Sequence, residues 1–157
     1  MSKIIIGIDP DSKAHGVAVY VDGKLEILRC CNLEEILCLI NMHPNPMTKE
    51  NIEFHIEDVC AISAAFNARD RKTNINVKLK MAQHIGMCKQ SQIELERFLS
   101  HYNIKIVHHK ISKMWKKDKS QFEKVTGWTG RSNEDTRSAA YFGFLGLSLI
   151  KKLENSI

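Results

Sequence analysis

The stretch Ile4-Ile5-Ile6-Gly7-Ile8-Asp9-Pro10 constrains the fold more than any other part of this chain. Its apolar run is too short to cross a membrane and is rich in Ile. That is the pattern of a strand buried on both faces, as in a parallel sheet. The run ends in an acid, Asp9, followed by a Pro/Ser/Lys turn. A carboxylate beside such a run is costly unless it is solvated or paired with a cation. Taken alone, Asp9 could simply open a turn. Its functional reading comes from two further carboxylates at strand-end or helix-start positions, with basic segments around them.

From this first strand (residues 3–9) the pattern runs on as a meander. Residues 15–21 and 24–30 read as second and third strands, and Asp22-Gly23 between them is a two-residue hairpin signal. The turn at 10–14 makes strands one and two antiparallel neighbours. Leu33, Ile36, Leu37 and Ile40 have helical spacing over 33–42, with Asn32 as N-cap and Glu34 and Glu35 in the first turn. Residues 51–59 alternate as a fourth strand, with Glu57 and Asp58 near its end. Strand, helix, strand in this order predicts a right-handed crossover. It lays strand four parallel to strand one and brings Glu57 to the same sheet edge as Asp9.

Residues 60–76 have no clear period and read as a basic loop containing Phe66, Arg69, Arg71 and Lys72. A long helix follows over 77–99, then a fifth strand over 104–108. Residues 111–125 are Lys-rich and include Trp115 and Phe122, and 126–130 form a turn. A last helix runs from about 133 to 153, with Ser132 as N-cap and Asp135 as a capping-box variant.

The expected fold is therefore α/β, a five-stranded mixed sheet flanked by helices. An antiparallel meander leads into two parallel strands reached by helical crossovers. The 157 residues suffice for one domain, 1–157, with its own hydrophobic core. A net charge of +5 leans towards a polyanionic partner, and no stretch reaches transmembrane length. Five cysteines without a CxxC pair or a signal peptide fit reduced thiols in a cytoplasmic setting.

Two-metal phosphodiester hydrolysis needs several carboxylates converging on divalent cations roughly 3.5–4 Å apart. Mg²⁺ prefers oxygen ligands and keeps several waters, so three or four acids suffice. Asp9 and Glu57 on adjacent parallel strands meet that need, and Asp135 on a helix packed over the sheet can face them. Asp135 alone would read first as a helix cap or a helix-dipole partner. The order strand-Asp, strand-Glu, helix-Asp is more specific than any one of the three.

At these residues the chain resembles the RuvC family of Holliday-junction resolvases, in the ribonuclease H-like superfamily. Gly7-Ile8-Asp9-Pro10-Asp11-Ser12-Lys13 with Gly16 looks like the family's opening, which usually has Gly where Asp11 stands. Glu57 holds the place of the second acid. Leu79-Lys80-Met81-Ala82-Gln83-His84-Ile85-Gly86 is similar to its Leu-Lys-x-x-Gln-x-x-Gly helix. Lys124-Val125-Thr126-Gly127 resembles its Lys-plus-Val-x-Gly turn, and Asp135-Thr136-Arg137-Ser138-Ala139 its Asp-x-x-Asp-Ala segment. The motifs occur in order over nearly the whole chain and look most like the small phage or viral branch, which would place the protein in a host cytoplasm. The resemblance implies a structure-selective endonuclease acting on branched DNA. It implies Mg²⁺ or Mn²⁺, as two ions, held by Asp9, Glu57 and Asp135, with Lys124 among the catalytic residues. It also implies a homodimer.

Two departures matter. Ser138 stands where the family's fourth carboxylate would fall, and Glu134, Asp11 or Asp58 are the acids that could compensate. An aromatic often follows the second acid, where this chain has Cys60; Phe66 could replace it or pack in the core.

Lysines near a scissile phosphate neutralise its charge. Lys116, Lys117 and Lys124 are the expected phosphate contacts from the cluster at 110–124, and Arg69, Arg71 and Lys72 would grip the backbone farther out. Trp115 and Trp128 could stack on unpaired bases, although Trp115 could as well pack under the sheet. His15 and the His108-His109 pair are weaker candidates for metal or phosphate contact. The competing reading is a branched-DNA-binding protein with weak or no cleavage, favoured by Ser138. An actin-like ATPase needs two such domains, more than this length allows.

Overall fold

The computed structural model describes residues 2–41, 49–62 and 74–155. The Ile-rich run is β1 (Ile4–Asp9), and all six of its residues are buried. It is the centre of a five-stranded sheet. β2 (His15–Val21) pairs with it antiparallel, and β3 (Lys24–Cys31) pairs antiparallel with β2. Asp22 and Gly23 turn that hairpin at φ values of 48° and 86°, the left-handed region a two-residue turn needs. α1 (Leu33–Asn41) leads to β4 (Ile52–Glu57), which lies parallel to β1 as the crossover predicts. α2 (Ile75–His101) leads to β5 (Lys105–His109), parallel to β4. The order is β3-β2-β1-β4-β5, the five-stranded mixed sheet that the sequence pattern predicts. α3 (Lys119–Thr126) and α4 (Glu134–Glu154) complete the described elements.

Strand alternation sorts the sheet into two faces. Ile4, Ile6, Ile8, Phe54 and Ile56 pack with Ile36 of α1 and with Leu95 and Leu99 of α2. Ile5, Ala18 and Tyr20 pack on the other face with Trp115, Phe122 and Ala139. By the same alternation Asp9 and Glu57 belong to this second face, the one α4 covers.

α4 approaches that face closely because glycine lies beneath it. A Cβ on Gly7 would stand 2.0 Å from the Ala139 carbonyl oxygen, and one on Gly16 would stand 2.3 Å from that of Asp135. Gly16 is the register partner of Asp9. The first turn of α4 is thereby seated beside the end of β1, and the Tyr20 hydroxyl donates to the Ala140 carbonyl at 2.8 Å, fixing the next turn.

The expected α4 cap is corrected by one residue. Asn133, not Ser132, is the N-cap: its side chain accepts from the Thr136 amide at 2.8 Å, and Thr136 Oγ1 accepts from the Asn133 amide at 2.9 Å. The capping-box partner is thus Thr136, which leaves Asp135 outside the box. α2 begins two residues before the expected start because Asn74 accepts from the Asn76 amide. Within the Lys-rich stretch only Lys119–Thr126 is helical; Trp115, at φ 63°, bends the chain before it. Arg69, Arg71, Lys72 and Phe66 lie outside the described residues. No described helix is long and apolar enough to cross a membrane.

Candidate active site at the end of the central strands

β1 and β4 end side by side, so Asp9 and Glu57 arrive together, 4% and 2% exposed. α4 adds Asp135 from its first turn. The three acids and Lys116 line one pocket of about 240 Å³, along with Asp11 and His84. Lys116 comes from the segment between β5 and α3, and its Nζ lies 3.1 Å from Asp9 Oδ2. That contact is an ion pair at the floor of the pocket, where Oδ2 is buried. From the same segment the Ser112 amide donates to Glu57 Oε1 at 3.2 Å.

Crowding of negative charge dominates the electrostatics. Burial first, then the neighbouring Asp9 carboxylate, pushes Glu57 up to about 8; Lys116 and the Ser112 amide only partly oppose this. Burial and then Asp9 also raise Asp135. Burial pulls the Lys116 ammonium down, but Asp9 and Glu57, with Asp135 behind them, outweigh it and the net shift is upward. One lysine does not offset three crowded acids, so Glu57, held near 8, keeps its proton at neutral pH.

A hard divalent cation fits this donor set. Its four acids offer carboxylate oxygens, and Asp9 Oδ2 is buried with no hydrogen bond from a described residue; His84 and Cys88 also line the pocket. As the side chains stand, however, no three His, Cys, Asp or Glu among the described residues are placed to hold a metal ion. The Lys116 ammonium is the positive group that meets Asp9.

The other candidates separate. Asp11 lines the pocket, and its Oδ1 accepts from Ser12 Oγ and the Lys13 amide. Asp58 instead accepts from Gln92 of α2 at 3.2 Å, and Glu134 is exposed. Ser138 is fully buried, its Oγ has no hydrogen-bond partner among the described residues, and it does not line the pocket. Lys117 and Lys124 are exposed and make no ion pair with a described residue. Trp115 is 4% exposed and packs edge-on against Phe122 and Tyr141, so it is not available to stack on a base. Trp128 is half-buried and its Nε1 donates to the Arg131 carbonyl. Cys60 is exposed, and its amide donates to Gln92.

The histidines are engaged elsewhere. His108 Nε2 lies 2.7 Å from Glu96 Oε1, while His109 Nε2 lies 2.8 Å from Nδ1 of the buried His55. Adjacent strand residues face opposite sides, so the pair cannot act on one ion. His15 is buried, and its Nδ1 accepts from the Asp11 amide at 3.4 Å. Sequence reasoning missed Ser112 and Arg137, whose roles depend on contacts to residues tens of positions away.

No family model matches the chain, and no curated protein matches it. Among solved structures the chain is similar to Thermus thermophilus RuvC in complex with a Holliday junction substrate, at 11% identity and a TM-score of 0.48 over 90% of each chain. It is likewise similar to a second Thermus thermophilus RuvC structure, at 11% identity and a TM-score of 0.46, over 90% of this chain and 91% of that one.

Proposed function

We propose that this protein is a divalent-metal-dependent endonuclease that nicks branched DNA such as Holliday junctions. One observation carries the reading: Asp9, Glu57 and Asp135, distant in the chain, line a single pocket around one lysine. Such a concentration of buried carboxylates is costly for folding and useful for holding cations against phosphate.

In this reading Asp9, Glu57 and Asp135 hold Mg²⁺, with Mn²⁺ as a substitute and two ions when the site is full. Those ions supply a water activated for attack and offset charge on the leaving oxygen. The chain's own residues do the rest. The Ser112 amide holds Glu57 Oε1 and so fixes the orientation of that carboxylate. Lys116, released from Asp9, is placed to meet a non-bridging phosphate oxygen. Lys117 and Lys124, exposed nearby in sequence, would bind flanking phosphates, as would Arg69, Arg71 and Lys72. A homodimer belongs to the proposal, because it would set two sites on symmetric strands. The exposed apolar side chains Ile75, Leu79 and Met81 at the start of α2 would favour it.

A labelled synthetic four-way junction, incubated with and without Mg²⁺ or Mn²⁺ beside a matched linear duplex, tests the reading. Metal-dependent nicking of the junction, lost in Asp9→Asn, is the expected result. Tight junction binding without cleavage under either metal would favour the second reading, a branched-DNA-binding protein. Ser138 supports that alternative, since it brings no fourth carboxylate to the pocket.

A further inference from the structure

Arg137 lies two residues after Asp135 and is 8% exposed. Its Nε donates to the carbonyls of Trp115 at 3.0 Å and Lys116 at 3.1 Å. One terminal nitrogen donates to the same Lys116 carbonyl, and the other donates to Ser132 Oγ at 3.2 Å. Among the described residues, no carboxylate is hydrogen-bonded or ion-paired with it. A buried guanidinium met only by neutral acceptors gains less Coulombic return for its desolvation than one paired with an acid. Its contacts are spent on the backbone of a segment with little support of its own. Between β5 and α3 the chain has only a few local bonds, such as the Lys116 amide to the Lys113 carbonyl at 3.3 Å. At Trp115 it takes a left-handed φ of 63°, unfavourable for a bulky residue.

We propose that Arg137 is a positioning residue: by binding the Trp115 and Lys116 carbonyls from inside the protein, it fixes the bend that carries Lys116 Nζ onto Asp9. The Trp115 ring anchors one side of the bend in the core against Phe122 and Phe144. Arg137 holds the peptide side, and Lys116 is what the bend delivers. The planar guanidinium suits the task because its fixed fork of donors reaches both carbonyls at once. α4 thus contributes twice to the pocket, an acid through Asp135 and, at one remove, a cation through Arg137. The inference rests on the reading of the pocket as a working site, but its first test does not require cleavage.

The test is competitive acetylation of the folded full-length chain with limiting acetic anhydride, read by peptide mass spectrometry, with Lys117 as the internal reference. In the parent protein Lys116 should be labelled several-fold more slowly than the exposed Lys117. Arg137→Gln should bring the two rates together while far-UV circular dichroism stays unchanged. Persistent protection of Lys116 in a folded Arg137→Gln protein overturns the proposal. Should that variant not fold, Arg137→Lys is read instead. An ammonium can donate to carbonyls but lacks the rigid planar fork that holds both in place, so an intermediate rate is expected and a parental rate overturns the proposal. Loss of folding in both variants also overturns it, since Arg137 would then serve the fold as a whole.

A second readout uses activity. Where the parent nicks junctions, Arg137→Gln should lower kcat several-fold with KM little changed, and should add nothing to the loss in Lys116→Met. Full additivity overturns the route through Lys116. A parent that does not cleave removes the nuclease reading and leaves the labelling result to decide this proposal.

Discussion

Lys116 Nζ stands 3.1 Å from Asp9 Oδ2, so the acid that closes the central strand is balanced by a cation 107 positions later in the chain. The pairing explains how an Asp can be buried at the end of an Ile-rich strand. It also marks where the pocket remains under-compensated, because Glu57 and Asp135 crowd the same lysine.

That crowding makes the site a cost to stability. Glu57→Gln keeps an acceptor for the Ser112 amide and removes the cost of protonating a carboxyl that burial and Asp9 push up to about 8. We expect metal-free Glu57→Gln to be more stable than the parent at neutral pH by about 1 kcal/mol, with junction cleavage lost. Urea unfolding and a nicking assay measure the two effects, and a lower stability would show that Glu57 is not strained against Asp9.

Gly16 is predicted to be indispensable to the site. A Cβ there meets the Asp135 carbonyl oxygen at 2.3 Å, a backbone atom that cannot rotate away. Gly16→Ala should cost about 1–3 kcal/mol and displace the first turn of α4, with cleavage falling further than stability. Thermal unfolding beside nicking rates would reveal it.

Ser138→Ala should be neutral or stabilising by up to about 1 kcal/mol, because its buried Oγ has no hydrogen bond to lose. Cleavage should be unchanged. An abolished activity in a folded Ser138→Ala protein would mean that this hydroxyl works in the pocket after all.

The His55–His109 pair, beside Glu53 and next to Glu57 in the sheet, predicts an acid sensitivity of its own. Burial first, then His55 and His108, pulls His109 down from 6.5 to about 4; burial likewise lowers His55. Between those values the unfolded chain binds the extra proton. The stability is therefore fully present above pH 6.5 and is lost as pH falls towards 4. His109→Gln can still bond His55 but does not titrate, so its urea midpoint should fall less steeply between pH 7 and 4.5. An unchanged slope would assign the acid sensitivity to other groups.

Lys117→Ala and Lys124→Ala should each weaken junction binding across sequences and lower the salt slope of log K by about 1. Fluorescence anisotropy over a salt series reads this directly. An unchanged slope in either variant would remove that lysine from the phosphate contacts.

The parts of the protein that depend on near neighbours were legible in the order of residues. The Ile run, the Asp22-Gly23 turn and the strand-helix-strand order give the sheet and bring Glu57 beside Asp9, because side-chain period and crossover handedness follow from local chain geometry. The α4 cap was placed one residue early, since Ser132 and Asn133 are both good caps and the choice was made by the Thr136 hydroxyl and by Arg137's claim on Ser132. The lysine that would meet Asp9 was not legible: Lys116 and Lys124 have the same chemistry, and the left-handed bend at Trp115 selects between them. Nor could spacing tell that Trp115 is core or that Arg137 turns inward to a backbone more than twenty residues away. Such contacts are decided when the sheet, α4 and the 110–118 segment close on one another, where packing and the need to pair buried polar groups set each side chain's place.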